Sequence, residues 1–415
     1  MSRVVSESLI KSQEHTRNHA QSLDDADPLR AFRDRFVIDE DLVYLDGNSL
    51  GRLPRATADR LARVVTEQWG RRLIRGWDEG WLELPIDVGD RLGDAALGAA
   101  PGQTVVADST TVCFYKLACA ALDLRPGRTQ IVTDYDNFPT DRYVLEGLAR
   151  ARGLELVFLR GDPCYGPIPG DVLNLVGGQT ALVTFSHVSY RSAHIADMAQ
   201  ISEIARDAGA LTLWDLSHSA GSVPVQLDAD GADLAVGCTY KYLNGGPGAP
   251  AFMYARADLQ DQLSQPIWGW LGRRNPFEME HGYDPAPGVQ ALLSGTPPVL
   301  GCSAVDEGVR LVAEAGIDRI RAKGIALTEF AIALVDARLA SHGVSVASPR
   351  DPAHRGAHVA LAHPDAKRLC AELIQRGVIP DFRRPDVIRF GLSPLTTRFV
   401  DVWDGVQALR TLLDG

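Results

Sequence analysis

No apolar run in the sequence approaches the roughly 20 residues that a bilayer span requires, so no membrane segment is expected. The first stretch, Met1 to Arg30, lacks the apolar core of a secretory signal and reads as an arm, mobile at its start. Basic charge is in short supply: the formal net charge is −11 and the pI near 5.4, against a nucleic-acid surface as the main business. Cysteines are few and scattered. Cys113, Cys119, Cys164, Cys238, Cys302 and Cys370 form no C-x-x-C pair, which argues against a zinc site and a disulfide framework. Their apolar neighbours suit buried free thiols in a reducing cytoplasm. His354, His358 and His363 have no carboxylate to complete a metal site and read as solvated loop histidines. Neither an internal repeat nor a low-complexity segment is visible.

What remains is an ordinary globular composition, 45% hydrophobic and 23% charged. At 415 residues the chain suits two packed domains sharing one site. From Gln103 onward, short β-rich runs alternate with helical stretches: Thr104–Ala107, Thr129–Thr133, Leu154–Leu159, Ala181–Phe185, Leu211–Trp214 and Leu234–Val236. Nearly continuous apolar strands are expected where helices cover both faces of a mostly parallel sheet. A helix opens at the N-cap Asp197 and stops at Gly209. After Gly301 the texture changes to a long helical region, 303–342, then short strand candidates such as His358–Ala362 and Val387–Leu392, with a helix around Lys367–Arg376 between them. The expected division is an N-terminal arm (1–45), a large α/β domain (46–300) and a small C-terminal α/β domain (301–415), with the turn at Pro297–Pro298 near the boundary.

Ligands of open α/β sheets collect at the carboxyl ends of the strands. After Thr104–Ala107 come Asp108-Ser109-Thr110-Thr111 and a helix, where hydroxyls and free N–H groups can cradle a phosphate. After Leu211–Trp214 come Asp215-Leu216-Ser217-His218, an acid suited to a protonated ring nitrogen. After Leu234–Val236 comes Thr239-Tyr240-Lys241-Tyr242, then a glycine-rich stretch. Each alone has a bland reading as a helix cap or a solvated lysine. Together, a phosphate cradle, an acid and an amine are what pyridoxal 5'-phosphate requires.

At these residues the sequence resembles the fold type I enzymes of the aspartate-aminotransferase superfold, and within them the kynureninases. The likeness runs from Tyr44 to the C-terminus. It is carried by Leu45-Asp46-Gly47-Asn48-Ser49-Leu50-Gly51, by Asn137-Phe138-Pro139-Thr140-Asp141, by the stretch from Trp214 to Gly221 and by that from Thr239 to Gly248. The resemblance implies hydrolysis of L-kynurenine, or a ring-substituted relative, to anthranilate and L-alanine. Lys241 would carry the cofactor as a Schiff base and later move protons, Asp215 would pair with the pyridine nitrogen, and His218 would lie beside the ring with Phe138 stacked on its face. Thr110 and Thr111 would hold the phosphate, joined by Tyr240, Asp141 and Ser186. Tyr240 is also implied as a proton donor or relay near the substrate carbonyl.

Trp270 and Thr296 match positions that reach in from a neighbouring subunit, so a homodimer with shared sites is implied. Arg389 matches the arginine that holds the substrate α-carboxylate, near Asn48 and Ser49. Trp77 and Thr296 resemble the bacterial type of aryl pocket, whereas the animal type places a polar His and an Asn near the substrate ring. Cys113 departs from the Asn of many relatives, which touches substrate choice. Tryptophan breakdown, NAD synthesis and secondary metabolism all stay open as the pathway. A cysteine desulfurase, lyase or aminotransferase on the same scaffold is the rival enzyme, but no cysteine lies in the Gly/Ser-rich loop a desulfurase needs. A decayed, non-enzymatic domain is countered by the retained Lys241, Asp215 and phosphate cradle.

Overall fold

The short apolar runs assemble into one sheet, as seen in a computed structural model that describes residues 16–415; the start of the expected arm lies outside the described residues. The strands begin with β1 (Val43–Tyr44), β2 (Thr104–Ala107), β3 (Gln130–Asp134) and β4 (Glu155–Leu159). They continue with β5 (Thr180–Ser186), β6 (Leu211–Asp215), β7 (Leu234–Gly237) and β8 (Ala251–Ala255). Seven of them form a mixed sheet in the order β2-β8-β7-β6-β5-β3-β4. The run from β7 to β4 is parallel, and β8 alone is antiparallel to both its neighbours. The mostly parallel sheet expected from the sequence is therefore present, with β8 as an unforeseen insertion between β2 and β7.

Alternation of side chains along each strand supplies two cores. Val106, Val132, Val183, Phe185 and Trp214 pack beneath the helices Leu84–Leu92, Met198–Asp207 and Val299–Ala315. Their neighbours Val105, Ile131, Leu182 and Leu213 face the helices Thr110–Asp123 and Pro139–Arg152. Asp197 caps its helix as expected, accepting a hydrogen bond from the Gln200 N–H at 3.0 Å.

A second, four-stranded antiparallel sheet follows, ordered β12-β13-β10-β9. Its strands are β9 (Ser345–Val346), β10 (His358–Ala362), β12 (Asp381–Arg383) and β13 (Val387–Gly391), while β11 (Val378–Ile379) pairs with β1. The expected long helix is broken in two, Val299–Ala315 and Ile317–Arg338, because Gly316 takes φ +80, a left-handed conformation that interrupts the helix. His358 is not a solvated loop histidine: it lies in β10, wholly buried, because its strand is central in the small sheet. Cys164 departs the other way, half-buried in a turn rather than packed in a core. Among the described residues, no helix is long and apolar enough to cross a membrane.

The N-terminal segment closes onto the C-terminal body. Asp24 caps the last helix (Phe399–Asp414) by accepting from the N–H groups of Phe399 at 2.7 Å and Val400 at 3.0 Å. Leu45 then joins the same apolar cluster as Phe390 and Val402. From there residues 45–51 run to the other body. The Gly51 N–H donates to the Tyr240 carbonyl at 2.8 Å, and a Cβ at Gly51 would lie 2.3 Å from the carbonyl oxygen of Lys241. Only glycine permits that approach.

Candidate active site

The strand ends converge as the α/β rule requires. At the end of β2, Asp108 turns through φ +43 and is fastened by the fully buried Lys116, whose Nζ donates to its carboxylate at 2.6 Å and to the Leu292 carbonyl at 3.0 Å. That anchor aims Ser109, Thr110 and Thr111 into a cavity of about 310 Å³ at the start of the helix. Ser109, the N-cap residue, makes no side-chain capping bond, so the first turn keeps N–H groups and hydroxyls to offer an anion.

Asp215 ends β6 and accepts from the Ser217 N–H at 2.8 Å. Across from it, Asp141 sits in the first turn of its helix, buried, with Oδ2 lacking any hydrogen-bond partner. Burial first, then the negative charge of Asp215, holds the Asp141 carboxyl well above the usual range. Lys241 follows β7, only 9% exposed, with Nζ 3.0 Å from His218 Nε2 and 5.8 Å from the centre of the Phe138 ring. Burial, then the positive charges of Lys241 and Arg389, push His218 well below its ordinary value. A neutral imidazole can accept from the lysine, and its Nδ1 has no partner. Tyr240 keeps its proton: burial and the neighbouring Cys238 raise the phenol. Ser186 lines the same cavity and donates to Asn137 Oδ1 at 2.7 Å.

Arg389 approaches from β13, completely buried. It donates to the Tyr190 carbonyl, to Ser49 Oγ at 3.2 Å and to the carboxylate of Asp381. Asn48, with its amide turned so that nitrogen faces Asp46 at 3.1 Å, offers its oxygen to Arg389 at 3.3 Å. Burial pushes Asp46 up to about 6.

The structure thus brings Thr110, Thr111, Phe138, Asp141, Ser186, Asp215, His218, Tyr240 and Lys241 around one cavity. Trp77, Trp270 and Thr296 do not line it within one chain, nor do Asn48, Ser49 and Arg389, although Arg389 donates to the carbonyl of Tyr190, a residue of its wall. Trp77 and Trp270 meet edge to face at 5.8 Å, and Thr296 is exposed. Three residues escaped the reading of the sequence: Lys116, Tyr190, whose ring packs edge-on against Phe138 at 5.4 Å, and Asp381. Lys116 had a signal, a lone charge inside an apolar helical run; the other two had none. A larger cavity of about 580 Å³ lies beside Ile168 and His354, and among the described residues it has no lysine in its wall.

The fold is shared with enzymes of other activities. A cysteine desulfurase from Thermococcus onnurineus NA1 superposes with a TM-score of 0.82 at 18% identity, covering 93% of this chain and 98% of its own. A variant of the cystine C–S lyase C-DES, with glycine covalently linked to its PLP cofactor, gives 0.80 at 18% identity, covering 92% and 98%. Sequence separates this chain from them. Residues 320–409 match the family model described as the kynureninase C-terminal domain. Kynureninase from Burkholderia pseudomallei is 43% identical over 406 residues, 96% of each chain. That from Pseudomonas fluorescens is 41% identical over 404 residues, again 96% of each. Identity at that level, sustained through both bodies of the fold, places the chain in the kynureninase family.

Proposed function

We propose that this protein hydrolyses L-kynurenine to anthranilate and L-alanine, using pyridoxal phosphate held at Lys241. The observation that carries the reading is the lysine itself, a buried amine set between the His218 imidazole and the Phe138 ring. The polar accounting of the cavity supports the cofactor. Asp141 Oδ2, His218 Nδ1 and the uncapped turn at Ser109 are unsatisfied groups that a phosphate-bearing pyridine would satisfy.

When bound, the cofactor supplies an electron sink for the bonds broken at the substrate carbons. The chain's own residues do the rest. Asp215 keeps the proton on the pyridine nitrogen, with the buried Asp141, its carboxyl raised, beside it. Thr110, Thr111 and Ser186 hold the phosphate, and Phe138 covers the ring face. Lys241 moves protons at the substrate α-carbon, while His218 orients its amine. Tyr240, kept protonated, offers a hydrogen bond to oxygen near the reacting carbonyl. Arg389, with Asn48 and Ser49, holds the α-carboxylate, a task suited to a planar guanidinium.

Two functional sites in a homodimer complete the proposal, Trp270 and Thr296 entering from the partner. Apolar surface supports it: beside half-buried Trp270, Phe277 is 53% exposed and Trp268 61%. Mixing Lys241→Ala subunits with Trp270→Ala subunits is expected to restore activity, because some hybrids regain one complete site. Absence of recovery despite proven subunit exchange would refute sharing. Cytoplasmic residence is proposed from the six unpaired thiols, and tryptophan catabolism as the pathway.

The test of the activity is the fluorescence of anthranilate released from kynurenine, run beside 3-hydroxykynurenine. Trp77, proposed to face the aryl ring, offers the 3-hydroxyl an indole wall, and an unpaired buried hydroxyl costs about 1–3 kcal/mol. Unsubstituted kynurenine is expected to have kcat/KM at least about tenfold higher on that cost. A ratio of one or below would refute the pocket assignment, and no anthranilate from either compound would refute the activity.

A further inference from the structure

Arg389 already carries a carboxylate, and it belongs to the chain. Asp381 faces it directly across the β12–β13 ladder, where Asp381 and Arg389 are register partners. The same Asp381 oxygen also lies 2.9 Å from Arg383 Nη2. The two cations differ. Arg389 is wholly buried on β13, an inner strand, whereas Arg383 is partly exposed and shares the three-residue edge strand β12 with Asp381. A buried guanidinium needs a counter-charge, and two carboxylates cannot sit on one guanidinium without repelling each other.

We infer that Asp381 is an internal stand-in for the substrate's α-carboxylate, holding Arg389 and yielding it to an incoming amino acid by moving onto Arg383. The inference rests on the assignment of Arg389 to that carboxylate. The exchange makes Asp381 a specificity-determining residue. A ligand with an α-carboxylate can displace it, and an amine without one leaves it in place. The competition also weakens binding, because apparent affinity falls by the fraction of molecules in which Arg389 is free.

The two residues of β12 therefore act with opposite signs. In the cofactor-loaded protein, Asp381→Asn is expected to tighten L-alanine binding, measured by calorimetry, and to lower the KM for kynurenine, each by at least about threefold. Arg383→Gln removes the landing partner and is expected to weaken both. In the Asp381→Asn background, Arg383→Gln is expected to have no further effect, since nothing remains to be moved. A merely structural role for Asp381 predicts weaker alanine binding in Asp381→Asn, and that result, or unchanged binding, overturns the exchange. So does an Arg383→Gln effect that persists in the double variant. The underlying assignment is tested separately by Arg389→Lys, which is expected to abolish the preference for kynurenine over its decarboxylated amine. A preference that survives overturns the role of Arg389 and the exchange with it.

Discussion

Lys241→Ala is expected to lose turnover by at least about a thousandfold, equivalent to about 4 kcal/mol of transition-state stabilisation. It should also lose the covalent attachment of the cofactor. Among the described residues this amine is the only lysine in the wall of the cavity, and its contact with His218 fixes where the nitrogen sits. On the proposed assignment, alanine removes both the nucleophile that binds the cofactor aldehyde and the base that moves protons at the α-carbon. The fold should survive, because Asp215, Thr110 and Phe138 are held by their own elements. The measurement is borohydride reduction followed by peptide mass spectrometry, with a rate assay alongside. A reduced adduct mapped to a different lysine, or turnover within tenfold of the parent, would sink the assignment.

Asp215→Asn is expected to cost more than about a hundredfold in kcat, or about 2.7 kcal/mol. An amide cannot hold a proton on the pyridine nitrogen, so the ring withdraws electrons poorly. The local turn should persist, since an Asn carbonyl can still accept from the Ser217 N–H that now donates to Asp215 at 2.8 Å. The substitution also removes the negative charge of Asp215, one cause of the raised Asp141 carboxyl, and leaves burial, the largest cause, in place. The checks are steady-state rates with kynurenine and a thermal melt. Near-parental rates from a folded variant would contradict the role.

What was legible in the sequence was local. Thr110, Thr111, Asp215 and Lys241 each follow an apolar strand directly, and a strand end is a place that spacing alone can find. Phe138 and Asp141 also come after a strand, β3, but only the family likeness names them. Arg389 could be named only through family likeness, and its partners stayed hidden because Tyr190 lies 199 residues away along the chain and Ser49 lies 340. Asp381, eight residues from Arg389, gave no sign because a hairpin register is not written in composition. The break at Gly316 was present as a glycine, but helical periodicity continues on both sides of it. The sequence offers two readings of His358, a solvated loop histidine and the first residue of the strand candidate His358–Ala362, and strand pairing decides for the second. β8, an apolar run after Pro250, passed unread because nothing local announces an antiparallel insertion.

The strap at residues 45–51 has a consequence for synthesis. Leu45 and Gly47 exchange backbone hydrogen bonds with Gly391, near the far end of the chain, while Gly51 docks on Tyr240. A ribosome adding roughly 5–20 residues per second makes the strap about 20–70 seconds before its last partner exists. The large sheet can form while the chain is still emerging, but the part of the proposed site around Arg389 cannot. Competence for substrate is thus conferred late, by an early segment returning to meet a late strand. A nascent chain stalled before Arg389 would hold the lysine and its acid without the arginine proposed to select an amino acid.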